Sequence, residues 1–454
     1  MNRNLITKYN VPGPRYTSYP TVPYWDAVTF SPEKWKQEVS RSFSESNSSE
    51  GISLYIHLPY CESLCTFCGC NKRITKNHAV EEPYIQAVLR EWATYLTLMP
   101  DAPRIREIHL GGGTPTFFGP KNLERLILSI LDTAEAIVPT QFGFEANPNY
   151  TTTEHLETLY ALGFRRLSLG VQDFDPVVQT IINRLQPFEI VATVTEAARD
   201  IGYESINYDL VYGLPRQKRS SVIDTVRKVN LLRPERIAFY SYAHVPWIKG
   251  VGQRRFSEQD LPRDWEKRTL YETGRELLEE AGYREIGMDH FALPEDSLYL
   301  AAQDGTLHRN FMGYTPAPTQ LSIGLGVSSI SDSWYAFAQN EKAIEGYLRQ
   351  AAQGVMPLFR GHILSDEDLV LRRHILNIMC RFETTWAQQH EQHPALEAAL
   401  DRLKELQIDG LVRVTGNRLT VTAAGRPFLR NICMALDARL MRGEPHTQLF
   451  SQII

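Results

Sequence analysis

The sequence predicts an α/β protein: an open (β/α)6 partial barrel, preceded by an N-terminal arm and followed by a mainly helical, winged-helix-like C-terminal domain. Two observations carry this. Six short β-rich apolar runs are each followed by a longer amphipathic stretch, and glycine, acid and amide residues recur where those runs end. Strand and helix in alternation imply a parallel sheet with crossover helices, and right-handed crossovers wind it one way. Six units are too few to close an eight-stranded barrel, so the open barrel is expected and a flat doubly wound sheet is its rival.

The predicted strands are Ile52–Leu58, Ile105–Leu110, Phe142–Ala146, Arg166–Val171, Ser205–Tyr212 and Arg236–Tyr242. The predicted helices between them are Tyr84–Leu98, Leu123–Ala136, Thr153–Leu162, Ile190–Ile201 and Ser220–Leu232. In the first, Ile85, Val88, Leu89, Trp92 and Leu96 recur at helical spacing. The strand ends carry Gly111-Gly112-Gly113-Thr114, Glu145, Gln172 and Asp209, and ligands of parallel α/β folds sit at that edge.

Residues 1–50 read as irregular, spaced by Pro12, Pro14, Pro20 and Pro23 and polar over Ser40–Ser49. Their aromatic residues (Tyr9, Tyr16, Tyr19, Tyr24, Trp25) argue against simple disorder and for an arm laid over the barrel mouth. Domains are expected at 1–50 (arm), 51–250 (barrel core), 251–360 (extension with substrate-side elements) and 361–454. In the last, helices are expected over Asp366–Phe382, Ala395–Leu406 and Pro427–Leu440, with a hairpin turning at Gly416-Asn417. Arg413, Arg418, Arg426 and Arg430 are too sparse for a DNA-binding reading, so a structural or substrate-covering role is expected.

With 43% hydrophobic and 22% charged residues the chain is an ordinary globular composition, which excludes dominant disorder. A net charge of −5 excludes a basic nucleic-acid binder. No apolar run is long enough for a transmembrane helix, and Met1–Asn10 lacks a secretory pattern. A cytoplasmic monomer is the expectation.

Four of the six cysteines fall in Cys61-Glu-Ser-Leu-Cys65-Thr-Phe-Cys68-Gly-Cys70. A disulfide framework would spread them, so metal or redox chemistry is indicated. Three thiolates at C-x3-C-x2-C spacing can hold three corners of a [4Fe–4S] cube and leave one iron open. Structural zinc is the alternative, but it favours two separated ligand pairs and no second pair exists here. Cys380 and Cys433 stand alone and read as buried filler.

This loop after the first strand, with Phe67 before the third cysteine and Gly111-Gly112-Gly113-Thr114-Pro115 after the second strand, resembles the radical S-adenosylmethionine superfamily. Over almost the whole chain the resemblance is closest to the oxygen-independent coproporphyrinogen III oxidase (dehydrogenase) family. It rests on Gly13–Pro20, Cys68–Lys72, Val171–Phe174, Asp209–Pro215, Tyr242–His244, Gly287–Phe291, His308–Phe311 and Arg430–Met434. Haem-chaperone relatives on the same scaffold typically lack the cysteine found here at Cys70. The resemblance implies oxidative decarboxylation of two propionates of coproporphyrinogen III through a 5′-deoxyadenosyl radical, giving protoporphyrinogen IX.

It also implies Cys61, Cys65 and Cys68 as cluster ligands, two molecules of S-adenosylmethionine, and a reductant such as flavodoxin or ferredoxin. The first S-adenosylmethionine would meet Tyr55, Gly112, Glu145 and Ile330. The second would meet Phe67, Cys70, Gly113, Thr114, Gln172, Arg184, Asp209 and Ala243. Tyr55, Cys70, Glu145 and Phe311 are the implied catalytic residues. Taken singly, each has a plain structural explanation: strand packing for a tyrosine, a helix cap for an aspartate, a surface charge for an arginine. Arg15 and Arg309 are candidate partners for the substrate's carboxylates, or structural salt-bridge residues. His290 and His308 read as hydrogen-bonded, partly buried histidines. Two departures from the family are Met312, where Gln is common, and Asn147, where Asp is frequent. Met312 leaves open a related radical enzyme acting on another tetrapyrrole; a haem-binding protein on the same scaffold is the other alternative, against which Cys70 and the N-terminal arm count.

Overall fold

The computed structural model describes residues 3–26, 28–247, 253, 256–443 and 449–453. The boundary expected at 250/251 lies outside them. All six predicted strands form, as β1 (Ile52–Leu58), β2 (Arg104–Gly112), β3 (Glu135–Ala146), β4 (Phe164–Gln172), β5 (Ser205–Tyr212) and β6 (Arg236–Ser241), and they pair in parallel in chain order.

The sheet is larger than those six. Beyond β6 come β7 (Arg284–Gly287) and β8 (His290–Ala292). A short hairpin, β9 (His308–Asn310) with β10 (Gly313–Thr315), stands apart. Next to β1 lies β11 (Leu321–Leu325), also parallel, with Gly324 opposite Tyr55. The antiparallel strands β12 (Ile330–Asp332), β13 (Ala336–Asn340) and β14 (Leu358–Ile363) follow. The result is a 12-stranded sheet in the order β14-β13-β12-β11-β1-β2-β3-β4-β5-β6-β8-β7. Its edges, β14 and β7, do not pair, so the barrel stays open.

The strands alternate in an unusual sense. Residues on the outer face, such as Leu54, Ile56, Ile108, Leu110, Leu167, Leu169, Ile206 and Tyr208, are apolar and buried. They pack under α3 (Glu81–Leu96), α4 (Pro120–Leu131), α5 (Thr153–Ala161), α7 (Phe188–Ile201) and α8 (Arg219–Leu232). Residues on the inner face are polar: Tyr55, His109, Glu145, Ser168, Asn207, Asp209 and Tyr240. An interior built this way is a chamber for a polar ligand. Its floor is closed by ion pairs. Arg166 donates to Glu107 at 2.9 Å, and Arg236 Nε reaches both oxygens of Asp296 at 2.8 Å.

Three expectations change. Residues 1–50 are irregular only in part, since they carry α1 (Arg3–Tyr9) and α2 (Pro32–Ser46). Ser31 caps α2 by accepting from Lys34 N, Pro32 takes its first position, and Trp35, Val39 and Phe43 share one face. The serines that suggested an irregular stretch include Ser42 and Ser46, which bond backbone carbonyls inside the core. The helix expected to reach Ala136 stops at Leu131, because β3 begins at Glu135 to pair with Arg104. The helix expected over Pro427–Leu440 is two, α14 (Leu429–Leu436) and α15 (Ala438–Arg442). Asp437 leaves helical geometry between them and caps α15 by accepting from Leu440 N at 2.8 Å.

The C-terminal unit packs α12 (Asp366–Arg381) and α13 (Pro394–Ile408) against the sheet β15 (Glu383–Thr385), β17 (Arg418–Val421), β16 (Val412–Thr415), with α14 against both helices. Its core also takes in Ile6, Tyr9, Tyr16 and Tyr19 of the arm. Cys380 and Cys433 are buried in it, as expected. Among the described residues no helix is long and apolar enough to cross a membrane.

Helix α2 lies against β11, β13 and β14 with Trp35 fully buried. Trp35→Ala is therefore expected to cost about 3–5 kcal/mol, read from the shift in urea unfolding of the anaerobic protein. A shift corresponding to less than about 1 kcal/mol would mean that α2 is no part of the barrel core.

Candidate functional site

The mouth is built where β1 and β2 end. Gly113 N donates to Leu58 O at 2.8 Å and Thr114 N to Tyr60 O at 3.0 Å. A Cβ on Gly113 would stand 2.7 Å from the Pro59 carbonyl, and one on Gly112, whose φ is +117°, would strike the His57 ring at 2.8 Å. The glycine run thus brings two chain segments together and fixes where the cysteine loop leaves β1. The loop is tied across the mouth as well. Thr66 N and Oγ1 donate to Ile182 O and Ile181 O, and Asn183 Nδ2 donates to Leu64 O at 2.7 Å.

The donor chemistry of the loop suits an anionic iron–sulfur cube. Cys61, Cys65 and Cys68 are partly buried free thiols. Thr114 Oγ1 donates to Cys61 Sγ at 3.4 Å, and Arg184 Nη1 stands 3.7 Å from Cys65 Sγ. Lys72 Nζ donates to the carbonyls of Cys68 and Cys70. A hydrogen bond from Cys70 pulls the Cys68 thiol down to about 6, with Lys72 assisting, while burial pushes Cys61 up to about 11. Among the described residues no three Cys, His, Asp or Glu side chains converge on one ion.

Below the loop, polar side chains interlock. His57 Nε2 donates to Asn71 O at 2.9 Å, so Nδ1 accepts from the Tyr55 hydroxyl at 3.1 Å. The Tyr55 ring stacks on His109 with centroids 6.1 Å apart. His109 Nε2 stands 3.3 Å from Glu145 Oε1, and Gly112 N donates to Glu145 Oε2 at 3.4 Å. Asp209 accepts from Ser168 at 3.1 Å and from Asn207 at 2.9 Å. Burial, with the Glu145 charge, pushes its carboxyl up to about 6. Glu145, Asp209 and Met312 line one interior cavity of about 130 Å³.

The other predicted residues fall around this chamber. Gln172 ends β4 with φ of 67°. Arg184 Nη2 donates to Gly170 O at 2.6 Å, and its buried Nε has no partner among the described residues, a donor left for an anion. Ile330 lies across from Gly324, the register partner of Tyr55. Phe67 and Ala243 are joined by Gln253, whose Nε2 donates to both carbonyls at 3.0 Å. Phe311 sits differently, in an aromatic group with Phe337 and with Trp25 of the arm.

Asn147 caps the following turn by accepting from Asn149 N at 3.1 Å. His290 is hydrogen-bonded to Met288 O and the Tyr240 hydroxyl, and burial with the Arg309 charge lowers it to about 3. Burial also lowers His308, to about 4. Arg309 is buried over the Tyr314 ring. The sequence reading missed His57, His109, Ser168, Asn207, Tyr240 and Gln253. The first five lie on the inner strand face, and polar residues at every second position of an otherwise apolar strand are the signal that marks them.

Residues 55–229 match the Radical SAM superfamily. The oxygen-independent coproporphyrinogen III oxidase of Escherichia coli (strain K12) is 38% identical over 455 residues, covering 99% of this chain and 98% of that one. That of Helicobacter pylori (strain J99) is 37% identical over 97% of each chain. The solved structure of coproporphyrinogen III oxidase from Escherichia coli, described as a radical SAM enzyme, superposes with a TM-score of 0.89. It shares 36% identity and covers 96% of this chain and 98% of that chain.

A carboxyl held above its unfolded value penalises the folded state once it ionises. Asp209→Asn is expected to raise the melting temperature of the cluster-free protein most above pH 6, where Asp209 is charged. The gain should shrink steadily as pH falls from 6 toward 4. A gain independent of pH would contradict the burial of an ionisable group there.

Proposed function

The chain belongs to the oxygen-independent coproporphyrinogen III oxidases, a family of radical S-adenosylmethionine enzymes, and on that premise we propose how its own residues serve the reaction. The reaction is the anaerobic oxidative decarboxylation of two propionates of coproporphyrinogen III to vinyl groups, in haem and porphyrin biosynthesis. Each propionate gives up a β-hydrogen atom, CO2 and one electron. The [4Fe–4S] cluster and S-adenosylmethionine supply, when bound, the radical chemistry that takes hydrogen from an unactivated C–H bond, which no side-chain acid or base can do.

Cys61, Cys65 and Cys68 would hold the cluster, and the uncapped iron would face the chamber. Tyr55, Gly112, Glu145 and Ile330 would hold one S-adenosylmethionine. Glu145 already accepts from Gly112 N, and its remaining lone pairs can take an amino group. Phe67, Cys70, Gly113, Thr114, Gln172, Arg184, Asp209 and Ala243 would hold the second. There the orphaned Nε of Arg184 suits a carboxylate, and Asp209 suits ribose hydroxyls or an amino group. Tyr55, Cys70, Glu145 and Phe311 are the residues we assign to catalysis. Trp25, stacked on Phe337 with centroids 5.4 Å apart, supports an arm that covers the mouth and keeps water from a reactive intermediate.

The observation that carries this reading is the convergence of a three-cysteine loop and a polar barrel interior on one mouth. We further propose a cytoplasmic monomer reduced by a one-electron carrier such as flavodoxin or ferredoxin. Six unpaired cysteines fit a reducing compartment.

Anaerobic turnover of coproporphyrinogen III, with products identified by mass spectrometry, tests the reading. Two vinyl groups, two CO2 and 5′-deoxyadenosine are expected. Glu145→Ala should lower the rate by about tenfold or more, the worth of one charge-assisted contact, with cluster content unchanged. No vinyl product from fully loaded protein would overturn the assignment.

A further inference from the structure

Two sequence stretches outside the cluster loop and the barrel interior, Gly13–Pro20 and Arg430–Met434, meet in the structure. Arg430, on α14, uses each of its three nitrogens on a backbone carbonyl: Nε on Pro14 O at 2.8 Å, Nη1 on Ile453 O at 3.2 Å and Nη2 on Gly13 O. Asn431 Nδ2 donates to Tyr9 O at 3.0 Å, and the Tyr16 hydroxyl donates to Asp437 at 3.0 Å. A Cβ on Gly13 would stand 2.7 Å from both Met434 and Ile453. The C-terminal unit therefore grips the arm on both sides of Arg15.

The gripped arm presents Arg15 to the barrel rim. Its Nη2 donates to Ser241 O, at the end of β6, at 2.6 Å, and its Nη1 lies 3.7 Å from Asp289. Lys267 meets the same rim from α9 (Asp264–Glu280). Its stem packs on Gly213, just past β5, and its Nζ donates to Tyr242 O at 3.2 Å. Among the described residues no carboxylate lies within ion-pair reach of Lys267. Burial and the charges of Arg15 and Arg430 hold its ammonium down to about 7, with only Asp289 opposing them.

Three cations thus gather around one carboxylate at the strand ends. The space beside them is open: one cavity of about 410 Å³ is lined by Lys267, Gly213 and Tyr242, and another of about 860 Å³ by Ser241, Asp289 and Arg430. The cavities also take in carboxylates, Glu258 and Asp264 in the first and Glu272, Glu276, Glu279 and Glu285 in the second, of which Glu272 and Glu279 are paired with Arg268 and Arg275. At the rim itself, Arg15, Lys267 and Arg430 outnumber Asp289, and partly buried positive charge in excess calls for an anion.

We propose that Arg15 and Lys267 form a carboxylate subsite at the rim, which holds a propionate of the tetrapyrrole away from the reacting one, and that Arg430 is a positioning residue for Arg15. This rests on the functional reading above and assigns the C-terminal unit its part in it. Arg15 offers a guanidinium fork and Lys267 a point charge, the pairing expected for one carboxylate approached from two elements. Every nitrogen of Arg430 is already tied to a carbonyl of the arm or of the C-terminal segment, which suits it to holding Arg15 in place.

The test is equilibrium binding of coproporphyrin III, an unreactive tetracarboxylate, to the cluster-loaded protein by fluorescence quenching, with its tetramethyl ester as the uncharged control. Lys267→Met and Arg15→Gln should each raise the Kd for coproporphyrin III about tenfold or more. Lys267→Arg should keep most of the affinity, and the ester should bind parent and variants alike. Arg430→Gln should weaken binding as Arg15→Gln does, and the double variant should be no weaker than Arg15→Gln alone. Unchanged coproporphyrin affinity in Lys267→Met, or an equal loss for the ester, would overturn the subsite. Additive losses would overturn the positioning role. If Lys267→Met weakened S-adenosylmethionine binding instead, the anion would be the cofactor's carboxylate and the proposal would fail. Normal vinyl formation alongside unchanged porphyrin affinity overturns the subsite alone, whereas absent vinyl formation overturns the functional reading itself.

Discussion

The contact on which the site depends is between two backbones. Gly111–Thr114, leaving β2, runs so close to Pro59–Cys61, leaving β1, that no Cβ fits between them at Gly113. Two hydrogen bonds lock the approach, Gly113 N to Leu58 O and Thr114 N to Tyr60 O. The cysteine loop therefore starts from a fixed point at the ends of β1 and β2, with Thr114 against the Cys61 sulfur and Arg184 against the Cys65 sulfur. Preorganisation of this kind matters where a reacting atom must sit within a few tenths of an ångström of its target.

The chamber follows from the inverted use of strand alternation. Helices cover the apolar outer face, so the inner face is free to be polar. Its polar groups are largely satisfied by one another: His57 by Asn71 and Tyr55, Asp209 by Ser168 and Asn207, Glu107 by Arg166. Mutual satisfaction lets these groups be buried at modest cost and keeps each side chain in one orientation. The ion-paired floor leaves the mouth as the way in.

Much of this was legible from residues alone. The six strands announced themselves by β-rich runs, and the cluster loop by cysteine spacing. The inner-face histidines escaped because alternation marks His57 and His109 as facing inward without saying what they meet; the strand register brings them beside Tyr55 and Glu145. Helix α2 escaped because its serines read as a flexible stretch, although Trp35, Val39 and Phe43 recur at helical spacing within it. Gln253 was invisible for a further reason: its bond to Phe67 spans 186 residues of sequence. The grip of Arg430 on Gly13 spans 417 residues, a relation that composition cannot hint at and that gives the C-terminal unit a mechanical task.

The central claim is that three cysteines hold the cluster while a fourth, Cys70, leaves one iron uncapped. Cluster content and the electron paramagnetic resonance of the reduced protein, compared across Cys61→Ser, Cys65→Ser, Cys68→Ser and Cys70→Ser, test it most directly. The account predicts that each of the first three variants loses the cube and that Cys70→Ser keeps it, with a spectrum still perturbed by added S-adenosylmethionine. Loss of the cube in Cys70→Ser, or its survival in any of the other three, would contradict the account.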